Sequence, residues 1–404
     1  MIRLILTAAA LIPAACSARV STGQPQPGAG GGPPFKVETI GTFDAPFALA
    51  FLPDGRLLVT EKAGIIKLRA TDGTVTRVAG VRPVAAGGQG GLLDVAVAPD
   101  FAKNGLVYWT YSEPRDRGSR LALARGKLVE TGRQARLANV EVLWRAGSDG
   151  EGGQFGAAIA FAPDGRSLFL SSGERQRFTP AQDPNQALGK VLHLTLDGAP
   201  WPGNPGVGKL GARTIKVIDP PEDSVKATTA PGRIVPARRP NTTPAETWTT
   251  GHRNPYGLAF DRAGRLWEAE MGPQGGDEVN LLLPGKDYGW PEASNGDNYN
   301  GVPIPDHKPG DGFEAPKVWW NPSISPGGIA VYYGRMFPEW RGSLLVSGLG
   351  SAALLRVALS GAQATKADQW DMGMRIRDVA VAADGAVWLL GDGSGAKLLR
   401  LTPR

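Results

Sequence analysis

Apolar runs separated by short turns recur along the chain. The repeated unit is an apolar run, a turn that contains Asp or Gly, and a second apolar run. Runs of this kind bounded by turn residues are typical of paired β-strands. The unit occurs as "LAFLPDGRLLVTE" from Leu49, "VAVAPDFAKNGLVYWTYS" from Val95, "IAFAPDGRSLFLSSGE" from Ile159, "LAFDRAGRLWEAEMG" from Leu258, "RMFPEWRGSLLVSGL" from Arg335 and "VAVAADGAVWLLGDG" from Val379.

The spacing of these units predicts the architecture. Successive units begin about 45 to 100 residues apart, and strand-turn-strand units at such periods are typical of propellers and other repeat arrays. Six blades of four antiparallel strands would fill most of residues 35–404, and a closed ring protects the edges of the sheets. We therefore predict an all-β, six-bladed β-propeller. A two-domain β-sandwich is the alternative.

Composition narrows the class of protein. Of the 404 residues, 42% are hydrophobic and 20% are charged, as in a folded globular protein. The 56 glycines do not recur at every third position, which excludes a collagen. The net charge of +6 comes without a block of Lys and Arg among aromatic residues, which argues against nucleic acid as a partner.

The N-terminal segment is typical of export. Residues 1–16, "MIRLILTAAALIPAAC", combine an early arginine with an apolar run and small residues before Cys16, the single cysteine. This resembles the signal of a bacterial lipoprotein, although Pro13 stands where a leucine is usual. We expect a periplasmic protein anchored by a lipid on Cys16, with a cleaved, unanchored periplasmic form as the alternative. Residues 17–34 form a predicted Gly/Pro-rich tether.

Two polar loops precede predicted inner strands. Gln89 lies among glycines in "GGQGGLLDVAVAPDF", where glycine permits close approach of a ligand. In "TTGHRNPYGLAF", Arg253 and Asn254 stand at a strand entrance, and an arginine fork suits a carboxylate or a developing oxyanion. The alternative is a solvated turn for Gln89 and an ordinary surface ion pair for Arg253.

Two further loops carry charge. The segment "EMGPQGGDEVNLLLPGKDYGWP" offers backbone carbonyls and carboxylates together, which calcium prefers, in a spacing unlike an EF-hand. Arg375 and Arg377 are two apart on a strand approach, so they face the same side and suit a polyanion. A charged surface loop and a solvated blade edge are the respective alternatives.

In kind and order these motifs resemble the bacterial PQQ-dependent aldose sugar dehydrogenases, which belong with soluble glucose and sorbosone dehydrogenases. The resemblance covers about residues 38–402. It is carried by "GQGGLLDVAVAPDF", "LGKVLHL", "GHRNPYGLAFD", "MGPQGGDEVNLLLPGKDYGWP", "YNGVPIPDHKPGDGFEAPKVWWNPSISPGG", "FPEWRGSLLV" and "RIRDVAV". It implies a six-bladed propeller that oxidises an aldose at the anomeric carbon to its lactone and passes electrons to an unidentified acceptor.

The resemblance also implies roles for individual residues. The carbonyls of Gly272 and Pro273 would bind a calcium ion that polarises the quinone, and Glu278 with the carbonyl of Tyr288 would hold a second, structural calcium. Arg253 would stabilise negative charge on the quinone, which carries the redox chemistry. The residues implied to hold PQQ and its carboxylates are Gln89, Arg253, Asn254, Arg375 and Arg377.

Two positions depart from the family pattern. Gln154 stands where the family has the histidine that takes the proton of the sugar hydroxyl, and an amide has no usable basicity near neutral pH. Gly350 stands where the family has a lysine that contacts the cofactor. Asp149 or Glu151 could replace the base if that loop folds inward. His252, adjacent to Arg253, is expected to support its loop.

These departures leave three functions open: an impaired PQQ- and calcium-dependent sugar dehydrogenase, a non-catalytic propeller that binds a sugar or quinone, and a calcium-dependent lactonase. The retained arginines favour quinone binding over lactonase. A long basic insertion, residues 206–246, either caps the channel or loops outward. We expect a monomer or a homodimer.

Overall fold

The computed structural model describes residues 32–404, and almost every regular element there is a β-strand. The helical elements are short: α1 (Phe101–Asn104), α2 (Ser224–Thr229), α3 (Thr243–Glu246) and the 3-10 turns Thr179–Ala181 and Pro338–Trp340. The all-β class is therefore confirmed. The predicted export signal, Cys16 and residues 17–31 lie outside the described residues. Within residues 32–404, no helix is long and apolar enough to span a bilayer.

The first strands build an eight-stranded sheet. After β1 (Phe35–Phe43), the chain forms an antiparallel half with β2 (Pro46–Phe51), β3 (Leu57–Glu61), β4 (Ile65–Arg69) and β5 (Val75–Ala79). The other antiparallel half contains β6 (Leu92–Val97), β7 (Leu106–Pro114), β8 (Ser119–Thr131) and β9 (Gln134–Arg145). The two halves join where β5 pairs with β9 in parallel.

Two four-stranded antiparallel sheets follow. One contains β10 (Gly156–Phe161), β11 (Ser167–Ser172), β12 (Lys190–Thr195) and, after the separate hairpin of β13 (Thr214–Ile218) and β14 (Gly232–Pro236), β15 (Thr247–Thr250). The other contains β16 (Pro255–Phe260), β17 (Leu266–Glu270), β19 (Asp277–Leu282) and β21 (Val318–Trp320). Between its strands, β18 (Gln274–Gly275) pairs with β20 (Gly296–Asp297).

Two further four-stranded sheets complete the chain. One contains β22 (Pro326–Val331), β23 (Leu344–Gly348), β24 (Ala353–Ser360) and β25 (Gln363–Asp371). The other contains β26 (Ile376–Val381), β27 (Val387–Gly391) and β28 (Ala396–Pro403), with β1 as its outer strand. Because β1 pairs with β28 from Phe35 opposite Pro403 to Phe43 opposite Ala396, the start of the described chain closes the last sheet.

The first strands of the sheets form a closed ring. In the order β2, β6, β10, β16, β22 and β26, each contacts the next, and β26 contacts β2. Each of these strands also has a register irregularity near its first residue. Bulges of this kind re-aim local side chains. The polar loops that enter these strands therefore meet at one end of the ring.

The predicted insertion contains folded structure. Strands β13 and β14 pair in register, and Ile215, Val217 and Ala237 form a small buried cluster of their own. Asn241 donates to the carbonyls of Asn185 and Ala212, both at 3.1 Å, which ties the end of this segment to the loop after β11. The end of the segment is thus hydrogen-bonded to that loop.

Candidate active site

The glycine-rich loop before β10 turns Gln154 into the protein. Gln154 has a φ of +54° and only 5% of its surface is exposed. Its backbone N–H donates to Oε1 of Gln89 at 2.7 Å. Gly152 has no room for a side chain, since a Cβ there would lie 2.2 Å from the carbonyl oxygen of Arg175. Close packing of this loop therefore requires glycine and holds Gln154 against Gln89.

Two buried arginines hold the same loop by hydrogen bonds to its backbone carbonyls. Arg175 donates to the carbonyls of Gly150, Gly152 and Gly153 and lies 3.8 Å from the ring of Phe155. Arg177 donates to the carbonyl of Glu151 at 2.9 Å. Burial lowers the pKa of Arg175 to about 9. The loop carbonyls thus supply the acceptors that Arg175 needs when it leaves water, whereas Nε and Nη1 of Arg177 have no partner within residues 32–404.

The side chain of Gln154 bridges two opposite charges. With its amide oriented to satisfy both neighbours, Oε1 accepts a hydrogen bond from Nη2 of Arg253 at 2.8 Å, and Nε2 donates to Oε1 of Glu174. The orientation follows from the hydrogen-bond partners, as for any amide whose oxygen and nitrogen look alike. The residue at the family's base position therefore connects a guanidinium to a carboxyl.

Glu174 is the carboxyl that the structure places beside Gln154. It is fully buried and accepts the backbone N–H groups of Arg177 and Phe178. Burial raises the pKa of Glu174 to about 7, although the positive charge of Arg253 and these hydrogen bonds act in the opposite direction. The side chain of Glu151 is exposed instead, and Asp149 pairs with Arg115 at 3.3 Å. The loop does not turn either acid inward.

Arg253 lies at the centre of the candidate site. Its Nη1 donates to the carbonyl of Gly272 at 2.5 Å and to that of Met271 at 3.0 Å. Its Nε is buried and has no hydrogen-bond partner within residues 32–404. The next residue, Asn254, accepts the backbone N–H of Gly156 at 3.1 Å. Arg253 and Asn254 thus join the Gln154 loop to the loop that carries Gly272.

His252 faces the interior behind Arg253. Its ring stacks on Tyr288 with centroids 4.8 Å apart, and its Nε2 lies 2.8 Å from Oγ1 of Thr249. Its Nδ1 lies 3.3 Å from Oε1 of Glu270, whose other oxygen accepts the backbone N–H of Arg253 at 2.7 Å. These contacts give His252 the supporting position that the sequence suggests.

Arg375 and Arg377 share one acidic partner but differ in exposure. Arg377 Nη2 lies 2.7 Å from Asp392 Oδ1, and Arg375 Nε lies 2.9 Å from Asp392 Oδ2. The Arg375 side chain is 55% exposed and that of Arg377 is 13% exposed. The guanidinium of Arg377 also lies 6.0 Å from the ring of Tyr256, whose hydroxyl donates to Gln89 Oε1 at 3.2 Å. Arg377 is therefore connected to Gln89 through Tyr256.

Lys62 adds a cation that the motifs did not indicate. Its Nζ donates to the carbonyl of Gly88 at 2.6 Å, beside Gln89. Burial lowers the pKa of Lys62, and the charge of Arg377 lowers it further, while Asp392 raises it. Gly350, where the family carries a lysine, follows Leu349, whose carbonyl accepts from Arg375 Nη1 at 3.3 Å. Lys62 thus brings positive charge to the arginine pair from another loop.

A small cavity contains the candidate calcium ligands Gly272, Glu278 and Tyr288. It has a volume of about 10 Å³, close to that of one water-sized sphere. Glu270 and Ser294 also line it, whereas Pro273 is buried but does not. Carbonyl and carboxylate oxygens around so small a space suit a hard cation such as calcium.

The carboxylates beside this cavity have few donors. Nδ2 of Asn280 lies 3.0 Å from Glu268, 3.1 Å from Glu278 and 3.5 Å from Glu270. Oε1 of Glu268 is buried and has no partner in the described chain. Burial raises the pKa of both Glu268 and Glu278 well above the usual range, and the charge of Glu270 adds to this. Glu268 and Glu278 thus depend on one side-chain amide as their donor, whereas Glu270 also accepts the backbone N–H of Arg253.

The sequence model described as glucose / sorbosone dehydrogenase matches residues 43–216 and 229–400. The chain belongs to this family of sugar dehydrogenases. The aldose sugar dehydrogenase YliI of Escherichia coli (strain K12) is 34% identical over 372 residues, which are 89% of this chain and 91% of that protein.

Solved structures agree with the family match. The apo-form of the soluble aldose sugar dehydrogenase of Escherichia coli has a TM-score of 0.79 at 32% identity, covering 92% of this chain and 100% of that one. The PQQ-bound aldose sugar dehydrogenase of Streptomyces coelicolor has a TM-score of 0.68 at 29% identity, covering 93% of this chain and all of that one.

Within this sugar dehydrogenase, one periodic signal could have identified Glu174. Acids stand at or just after the end of the second strand in four of the repeated units, and all four are at least partly buried. They are Glu61, Glu174, Glu270 and Asp392. Because equivalent strand ends meet at one end of a ring, a recurring acid there indicates the site as clearly as a loop motif does.

Proposed function

We propose that the chain is a six-bladed β-propeller, in which the eight-stranded sheet represents two blades joined at their outer strands. The closed ring of first strands supports this, since it contains one strand from each half of that sheet and one from each four-stranded sheet. The parallel pairing of β5 with β9 is short and joins the outermost strands of the two halves.

We propose that the chain is a PQQ-dependent dehydrogenase that oxidises an aldose at the anomeric carbon to its lactone. Its active site would lie at one end of this ring. The observation that carries the proposal is the connected set Arg253, Gln154, Gln89, Tyr256 and Arg377, which links four sheets at one end of the ring. PQQ when bound supplies the redox chemistry by accepting hydride.

The residues present fit a quinone with three carboxylates. The unpartnered Nε of Arg253 is a buried donor that a ligand oxygen would satisfy. Arg375, Arg377 and Lys62 supply further cations around Asp392. Arg253 would stabilise developing negative charge, because its guanidinium is already held by Gly272 and Met271 and needs no reorganisation.

Glu174, rather than Glu151, is our candidate for the proton acceptor. The sugar hydroxyl would give its proton to Oε1 of Gln154 while the Nε2 proton of Gln154 passes to Oε1 of Glu174, as hydride leaves the anomeric carbon. Arg253 uses one lone pair of that amide oxygen, and the second lone pair would accept the hydrogen bond of the sugar hydroxyl. Return of the proton to nitrogen and loss of the oxygen-bound proton to water restore the amide. Such a relay is slower than direct transfer to a histidine.

Calcium is proposed for the cavity of Gly272, Glu278 and Tyr288, where it would complete the acceptor-rich set around Asn280. The carbonyls of Gly272 and Pro273 remain the proposed ligands of a separate calcium ion that would polarise the quinone. We also propose a periplasmic location with a lipid anchor on Cys16. A separate molecule would accept the electrons.

One observation favours a second function. The neutral amide of Gln154 suits a propeller that binds quinone or sugar without turnover. Titration of the metal-free protein with PQQ and calcium, followed by a dye-linked assay on a panel of sugars, separates the two. Saturable PQQ binding with turnover supports the dehydrogenase, and binding without turnover supports the second function. If PQQ does not bind in the presence of calcium, the dehydrogenase is wrong, and if no sugar of the panel binds either, the second function is wrong as well.

A further inference from the structure

A groove separate from the candidate active site lies between β9 and the β13–β14 hairpin. Its volume is about 380 Å³. Leu143 and Pro236 form part of its walls, and Arg120, Arg145 and Arg238 bring three guanidinium groups to it. One wall comes from the end of the β8–β9 hairpin, and the other comes from the predicted insertion. None of these residues takes part in the proposed quinone or calcium sites.

Arg120 and Arg145 use only one edge of each guanidinium on the protein itself. Both reach Glu113 through Nε, at 2.8 Å for Arg120 and at 2.9 and 3.0 Å for Arg145. Their terminal nitrogens have no hydrogen-bond partner in the described part of the chain, and their side chains are 21% and 35% exposed. The two groups are therefore fixed in place by Glu113 and still carry unused donors.

Arg238 contributes the third guanidinium from the opposite wall. Its Nη2 donates to Glu246 Oε1 at 2.5 Å and to Thr242 Oγ1 at 2.8 Å. Its Nε is buried and lacks a partner within residues 32–404. This guanidinium therefore adds a positive group to the second wall of the groove, with a donor that the described chain leaves without an acceptor.

The charge of the groove is unbalanced. Glu113 and Glu246 compensate two of the three arginines and leave one positive charge in excess. Glu246 is also held by Trp144 Nε1 at 3.0 Å and is almost fully buried, so it cannot turn outward to neutralise another guanidinium. An anion that enters the groove would meet free donors on two sides.

We propose that this groove binds the oxyanion group, a carboxylate or a phosphate, of a small ligand. Fixed arginine forks match the paired oxygens of both groups, whereas a neutral sugar offers only hydroxyls. The apolar walls at Leu143 and Pro236 would contact the carbon part of the ligand. The site goes beyond the proposed dehydrogenase, because it uses none of its residues and needs neither quinone nor calcium.

The test measures binding to the quinone-free protein by calorimetry and by melting temperature. The probes are inorganic phosphate and methyl glucuronoside, which has no free anomeric hydroxyl, with methyl glucoside and sodium chloride at matched ionic strength as controls. We expect saturable binding of at least one anion and no binding of methyl glucoside. Preference for phosphate or for the glucuronoside then distinguishes a phosphate group from a sugar acid.

Variants locate the site. R120Q and R145Q should each weaken the anion's affinity at least tenfold, and R145K should weaken it too, because an ammonium keeps the charge but loses the fork. R400Q is the matched control, since Arg400 pairs with Asp384 at 2.8 Å on another sheet. The proposal is overturned if sodium chloride reproduces the shift, if neither anion binds, or if R120Q and R145K bind as R400Q does.

Discussion

The two sides of Arg253 pair it with buried acids in different ways. On one side Glu174 receives the amide of Gln154 and two backbone N–H groups. On the other side Glu268 and Glu278 share the single amide of Asn280, while Glu270 also accepts the backbone N–H of Arg253. Burial raises the pKa of Glu174 and of Glu278 alike. The two sides differ in the number of hydrogen-bond donors available to each acid. This number decides whether the acids also need a cation.

The Glu174 side is complete in hydrogen bonds and can exchange a proton without a metal. On the Glu278 side one amide is the shared donor of two buried acids, Glu268 and Glu278, and buried charges of one sign require a counter-ion or bound protons. The same guanidinium therefore lies between a proton-holding region and a cation-binding region. Substitutions that alter one side should leave the other side's property intact.

The largest effect is expected from Gln154→His at saturating PQQ. A histidine between Glu174 and Arg253 supplies a base with a suitable pKa, and general-base help is commonly worth about 10²–10⁴ in rate. We expect kcat to rise within that range in a dye-linked assay, with the calcium-dependent change in melting temperature unaltered. Gln369→His, on an exposed position of β25, is the control.

Two results would contradict this prediction. If the wild-type protein already turns over as fast as Gln154→His, the amide relay to Glu174 is not slower than a histidine. If Gln154→His binds PQQ without any gain in turnover, the site has diverged at more than its base.

The next effect is a pH dependence of stability that belongs to Glu174. Its pKa of about 7 in the folded protein exceeds the ordinary 4.5, so the folded state holds the proton more tightly. The resulting stability is fully present below about pH 4.5 and is lost as the pH rises through 7. Relative to Glu174→Gln, the wild type should lose on the order of 3 kcal/mol across this window. Urea unfolding at several pH values measures it.

Glu151→Gln is the matched control for that experiment, because Glu151 is exposed on the neighbouring loop. Its unfolding free energy should follow the wild type at every pH. Identical pH profiles for Glu174→Gln and Glu151→Gln would show that Glu174 holds no extra proton and would remove it as the proton acceptor.

On the other side of Arg253, calcium should stabilise the protein through Glu278. A ligand that binds only the folded state adds about 2.7 kcal/mol at 100 times its Kd. We expect the melting temperature of the metal-free protein to rise with calcium and to stop responding in Glu278→Gln. Glu141→Gln, in an exposed ion pair with Arg125, should respond as the wild type does. An unchanged calcium response in Glu278→Gln would show that the ion binds elsewhere.

The two sides also differ in how far the sequence could predict them. Gly272, Glu278 and Tyr288 lie within one short segment, so a motif brings them together, and the structure places all three around one cavity. Gln154 lies just before β10 and Glu174 just after β11, and their contact depends on the positive φ of Gln154 and on the arginines that hold its loop. The repeated apolar runs and turns predicted the β class, because strands and the turns between them depend on the local sequence. Contacts between sheets depend on backbone geometry that no local pattern contains.

The smallest effect should show whether Lys62 compensates for Gly350. Lys62 reaches the Arg377–Asp392 pair from the loop that follows β3, and its Nζ is fixed on the carbonyl of Gly88. Removing one partly buried positive charge near a bound carboxylate changes the free energy of binding by roughly 1.4 kcal/mol, or about tenfold in Kd. Lys62→Gln should therefore weaken PQQ about tenfold in a fluorescence titration, and the loss should shrink as salt is added. Lys103→Gln, exposed on α1, should leave the Kd unchanged. Equal Kd values for the two variants would mean that the arginines alone carry the carboxylates, and that Gly350 marks a charge that this protein does without.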